Sequence, residues 1–233
     1  MSFVHSPKIV TDGLVLALDA GNTKSYPGSG TTWFDKSGNA NNGTLTNGPT
    51  FNSANGGSIV FDGVDDFVDC GNASIINSAV NTCTINIWFK QSTTAAYRSL
   101  TSKGPSDADE NFQLAVAHSI NKLYFDVGNT AGPYIDTTYS YSLNTWYNIC
   151  VTHNRVAGTS TLLLYINGTN IPSTTFNPTL TPVTNSSNFI VGSSRNNTLP
   201  FPGNIADVNL YNRALSAAEV QQNFNALRGR FGI

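Results

Sequence analysis

Leu14, Leu16 and Leu18 occupy alternate positions of "LVLALDA", and this two-residue period recurs along most of the chain. Ile59 and Phe61 carry it in "SIVFDG", Ile85, Ile87 and Phe89 in "CTINIWFKQ", and Phe112, Leu114 and Val116 in "NFQLAVAH". Leu123, Phe125 and Val127 of "KLYFDVG" continue it, followed by Tyr147, Ile149 and Val151 of "WYNICVTHN", then "NFIVGS" and "IADVNLYN". "TLLLYING" is apolar on both faces. Successive strand side chains point to opposite faces, so the alternation marks half-buried antiparallel strands. Each run stops at Gly, Asn or Pro, the residues that supply turns. The pattern predicts about ten to twelve strands, roughly 8–15 residues apart, as in a two-sheet sandwich or jelly roll.

One segment breaks the period. In "SAAEVQQNFNALRGRFGI", Ser216 and Glu219 have the spacing of a capping box, which satisfies free amides at a helix start. Val220, Phe224 and Leu227 follow at i, i+4 and i+7 as one apolar stripe, and Gly229 reads as a C-terminal stop. The expected helix covers about residues 216–228 and packs on the sandwich. Residues 229–233 are then a tail, basic and apolar through Arg230, Phe231 and Ile233, either solvated or docked on a partner. No linker, charge block or low-complexity stretch divides the chain. The predicted organisation is an N-terminal arm at 1–12, one domain at 13–227 that includes the helix, and the tail.

Composition narrows the function classes. Charged residues are only 11% of the 233 positions, the net charge is −2 and the isoelectric point is near 5.8. Asn, Thr, Ser and Gly fill the polar faces instead, and no basic patch favours nucleic acid or an anionic membrane. The N-terminal "MSFVHSPKIVTDG" lacks a basic region followed by an apolar core, and no apolar run approaches the ~20 residues of a membrane span. The expectation is a soluble chain made in a cytoplasm. Cys70, Cys83 and Cys150 form an odd set without CxxC spacing, which suits buried thiols and leaves one bridge, Cys70–Cys83, open.

Of the chain's fourteen acidic residues, Asp62, Asp65, Asp66 and Asp69 fall within "FDGVDDFVDCG". The stretch lacks the D-x-[DN]-x-[DN]-G spacing of an EF-hand loop. Asp62 and Asp66 flank a turn and belong to different strands, so no acid–base pair faces one sugar. Turn capping is the simplest reading: strand "SIVF", turn "DGVD", strand "DFVDC". "SDADENF" places Asp107, Asp109 and Glu110 in a loop, solvated or facing a ligand. His5, His118 and His153 lack zinc spacing, and no nucleophile elbow or phosphate loop occurs. Trp33, Trp88 and Trp146 read as core or strand-face residues.

"GLVLALDAGN", "TTWFDKSGNANNGTLTNG", "SIVFDGVDDFVDCG", "CTINIWFK", "NTWYNICVTHN", "LLLYINGTNI" and "GNIADVNLYNRALSAAEVQQNFN" come in this order. From Gly13 to Asn225 the chain resembles laminin-G-like, concanavalin A-like lectin domains, with "FDG-x-DD-[FY]-V" and "YNRALSAAEV" the most specific pieces. The resemblance implies an all-β, two-sheet antiparallel jelly roll with a short C-terminal helix, in which the FDGxDD stretch is a strand–turn–strand element. It also implies carbohydrate binding and one structural calcium, with Asp207 as the matching ligand; Asp19 and Asn42 would supply the further oxygens a hard cation needs. The E-x-D-x-x-E strand of the related glucanases is absent, so no enzyme is expected. The version ending "NALRGRFGI" resembles domains in structural proteins of tailed bacteriophages, notably those of cyanobacteria. That implies a virion component, decorating a capsid or forming an appendage tip. Its partners would be other virion proteins, copies of itself and host-surface glycans. The alternative is a free lectin using exposed Trp or Tyr side chains; a polysaccharide-acting enzyme would rest on Asp107, Asp109 and Glu110.

Overall fold

The computed structural model describes residues 7–77, 82–104, 110–128, 135–154, 161–172, 186–194 and 197–233. Two antiparallel sheets of eight strands each face one another. The first runs in the order β14 (Thr169–Ile171), β13 (Thr161–Ile166), β12 (Tyr147–Asn154), β7 (Thr82–Gln91), β16 (Pro202–Tyr211), β5 (Ser58–Asp62) and β4 (Thr50–Asn52). There β1 (Leu14–Asp19) pairs with the C-terminal half of β16. The second runs in the order β11 (Ile135–Thr138), β10 (Lys122–Gly128), β9 (Glu110–Ala117), β8 (Arg98–Lys103), β15 (Phe189–Val191), β6 (Phe67–Asp69), β3 (Gly43–Thr46) and β2 (Thr32–Trp33). This is the sandwich that the alternation predicts. The strands beyond about twelve are pieces of two to four residues, too short to show a period.

Between the sheets lies one core. Leu16, Leu18, Ile85, Ile87, Phe89, Ile149 and Val151 enter it from one side. Leu45, Val68, Phe112, Leu114, Val116, Phe125 and Phe189 enter from the other. Every one of these positions was marked by the alternation except Leu45 and Val68, whose strands are short. Cys70, Cys83 and Cys150 are all buried free thiols.

The outer face of the first sheet is also covered. A short α1 (Ser74–Asn77) precedes β7, and a longer α2 (Ala217–Phe231) closes the chain. Ser216 caps α2, and its capping box with Glu219 is formed as expected. The boundary at 228 is corrected: Gly229 lies inside the helix, which ends at Gly232 in a left-handed conformation with φ 74°. A mid-helix glycine costs about 1 kcal/mol relative to alanine. Burial of the next turn outweighs that cost. Phe231 stacks on Trp88 at 4.2 Å between ring centroids and lies 4.7 Å from Trp146, while Phe224 stacks on Trp88 from two turns earlier. The expected tail is therefore the last turn of α2, docked on the chain's own sheet. Alongside, the Val10 amide donates to Asn223 Oδ1 and the Tyr211 hydroxyl donates to the Val10 carbonyl, so the end of the arm packs beside the helix.

Candidate functional site

With α2 over the first sheet, the second sheet opens outward at its β3–β6 end, whereas Ser99, Ser102, Gln113 and Ala115 on the outer side of β8 and β9 are buried. Leu45 and Val68 point into the core, so their neighbours Thr44, Thr46 and Asp69 point outward. Register places Thr44 opposite Asp69 and Asp69 opposite Ile190, aligning β3, β6 and β15. These strands and the loops at their ends enclose an open pocket of about 560 Å³. Its polar lining is Asn41, Asn42, Thr44, Asp69, Asn72 and Asn188, with Thr46 at the rim.

Local hydrogen bonds hold these groups in place. Asp69 Oδ1 accepts from the Gly71 amide at 2.8 Å, and its Oδ2 accepts from Asn188 Nδ2 at 2.9 Å. Asn41 Nδ2 donates to the Val15 carbonyl at 2.8 Å, and Asn42 Oδ1 accepts from the Asp35 amide at 2.9 Å. Behind the pocket, Lys103 Nζ donates to Asn72 Oδ1 at 2.9 Å and to the Ser187 carbonyl. Burial lowers the Lys103 ammonium to about 8. Cys70 also lines the wall, but burial, with Asp69 and Asp35 nearby, pushes its thiol well above the usual range, so it supplies no thiolate. Among the described residues, one carboxylate and no Lys, Arg or His line the pocket. Such a lining can trade hydrogen bonds with a neutral polyhydroxyl ligand in both directions.

The four clustered aspartates separate. Asp62, Asp65 and Asp66 bring carboxylate oxygens within 4.8 Å of one another at the corner where the chain crosses between sheets, from β5 to β6. Asp66 Oδ2 accepts from the Asp62 amide at 2.9 Å, and Asp62 Oδ1 accepts from the Val64 amide at 2.7 Å. Turn capping therefore describes them. Burial first, then the neighbouring carboxylates, raise the Asp66 acid above the usual range. Asp69 alone of the four reaches the pocket.

Asp19 and Asp207 meet as register partners across the β1–β16 pair, on the face under α2. Asp207 is buried and accepts from Asn209 Nδ2; burial, then the Asp19 charge, hold its acid well above the usual range. Arg230 of α2 donates to Asp19 Oδ1 at 2.6 Å. Asn42, expected as their companion, instead lines the pocket on the other sheet. Asp107 and Asp109 lie outside the described residues, as does the side chain of Glu110, whose backbone opens β9. His153 is buried in β12, and His118 packs edge-on against Tyr141. All three tryptophans are buried, which removes Trp33, Trp88 and Trp146 as platforms for a sugar ring.

Sequence reasoning missed Thr44, Asn72 and Asn188 as pocket residues. Nothing in their local spacing marks them, because strand pairing over more than a hundred residues brings them together.

A two-sheet jelly roll with a helix over one sheet and a polar pocket on the other has the architecture of lectin-like domains. Residues 61–221 match the family model described as the concanavalin A-like lectin/glucanases superfamily, and the chain belongs to that family. The fold is similar to a Trypanosoma rangeli sialidase solved in complex with sialic acid. There the TM-score is 0.68 at 18% identity, over 95% of this chain and 34% of that one. It is also similar to the binding domain of botulinum neurotoxin DC in complex with rat synaptotagmin II, with TM-score 0.67 at 18% identity over 94% and 52%. The botulinum neurotoxin serotype G binding domain gives 0.67 at 18% over 91% and 50%. This chain thus spans between about a third and a half of those structures. No curated protein matches the sequence.

Proposed function

We propose that the chain is a non-catalytic glycan-binding module whose pocket beside Asp69 takes a neutral sugar. One observation carries this reading: an amide- and hydroxyl-lined pocket whose described lining has a single carboxylate, on the sheet that α2 does not cover. Sugar hydroxyls both donate and accept, and the pre-positioned Asp69, Asn188 and Asn72 groups offer both roles without reorganisation. Glycoside hydrolysis ordinarily needs two carboxylates across the scissile bond, whereas the described lining has one.

The resemblance to phage structural domains supplies the setting: an exposed virion component that touches host-surface glycan. Immunogold labelling of particles from a lysate would show regular label on heads or tail tips; label confined to soluble material would leave a free lectin.

Binding is tested by a glycan array followed by calorimetry. Neutral oligosaccharides should bind, and Asp69→Ala should weaken them at least tenfold, about 1.4 kcal/mol. Turnover of a bound polysaccharide that is lost in Asp69→Asn would replace the reading with an enzyme.

A further inference from the structure

Asp19 and Asp207 provide the paired oxygens that a hard divalent cation seeks, yet a guanidinium already lies against them. Arg230 uses each of its three nitrogens. Nη1 donates to Asp19 Oδ1 at 2.6 Å, Nε to the Asn55 carbonyl at 2.6 Å, and Nη2 to the Gly57 carbonyl. The acceptors come from two segments distant in sequence, the end of β1 and the turn before β5. Trp146 Nε1 fixes that turn by donating to Asn55 Oδ1 at 3.2 Å.

Glycines make the space. A Cβ on Gly21 would lie 2.6 Å from the Arg230 Cζ, and one on Gly56 would lie 3.0 Å from its Nε. Gly57 has φ 129°, and a Cβ there would meet the Ala20 carbonyl oxygen at 2.4 Å. Together they form a slot that a planar guanidinium fills. Calcium takes six to eight oxygens around a compact charge. Here Asp19 Oδ1, Asp207 Oδ1 and the Asn55 and Gly57 carbonyls are committed to N–H donors, so the residues as arranged do not fit calcium.

We propose that Arg230 is the resident cation of this site, standing where a divalent ion would otherwise sit and making the edge of the first sheet independent of metal. The arrangement also transfers the role of a diffusible ion to α2, whose next residue is the stacked Phe231.

The test is thermal unfolding of the whole chain in EDTA and in millimolar calcium. Wild type should melt at the same temperature in both. Arg230→Ala should melt about 5 °C lower in EDTA and regain part of that loss in calcium, because it frees the oxygens. Arg230→Ala combined with Asp19→Asn should lose the calcium response. Wild type destabilised by EDTA, or Arg230→Ala as stable as wild type in EDTA, would overturn the proposal. Should Arg230→Ala fail to fold, Gly21→Ala displaces the guanidinium by one methyl group and should also lower the melting temperature. Gly229→Ala serves as control, since a Cβ there meets nothing within 4 Å. Equal effects from the two glycine changes would also reject the slot.

Discussion

Glu219 shows how much a single side chain can organise. Its carboxylate takes two bonds from Arg213, at 2.6 and 3.0 Å, and one from the Ser216 amide at 2.9 Å. The Arg213 bonds first, then the Ser216 amide, lower its acid to about 2. A depressed carboxyl contributes stability above its unfolded value and loses it as pH falls through the folded one. Glu219→Gln should therefore cost about 1 kcal/mol at pH 7, and the two melting curves should converge as the pH approaches 2. Gly229 offers the opposite case, as it is exposed within α2 with open space around its Cα. Gly229→Ala should raise stability by about 0.5–1 kcal/mol, read by urea titration.

Among the elements, α2 was the most legible and the most misjudged. Its cap and the stripe at Val220, Phe224 and Leu227 stand in the sequence, and Phe231 extends that stripe by one more turn. Gly229 masks this, because propensity alone ends the helix there while tertiary stacking carries it on. Phe231→Ala should cost about 3 kcal/mol by removing the ring from between Trp88 and Trp146. Intrinsic tryptophan fluorescence should shift to the red in the folded variant. Strand β16 reads as half-buried from its alternation, yet all ten of its residues are buried. The polar positions Asp207 and Asn209 look solvent-facing in sequence, and the helix that hides them belongs to a different period.

Across the whole molecule, the sandwich was readable because alternation is a local signal repeated many times. The pocket was not, because Asn42, Asp69 and Asn188 converge only once β3, β6 and β15 pair. The same long-range pairing shields the thiols. Burial raises Cys83 to about 12 and Cys70 and Cys150 further. A thiol-reactive disulfide dye should release almost no colour from the native chain and three equivalents after denaturation; rapid native reaction would show that the sheets part readily.

The placement of Val10 against Asn223, and of Arg230 against Asp19, brings the stretches near both chain ends to the helix-covered side of the sandwich. The pocket opens on the other side. An anchor at either end, whether a neighbouring domain, a particle or a sensor chip, would therefore hold the domain with its pocket facing outward. Many copies anchored this way would form a carpet of like-oriented pockets, and the proposed weak grip on one sugar would become a firm grip on a coated surface.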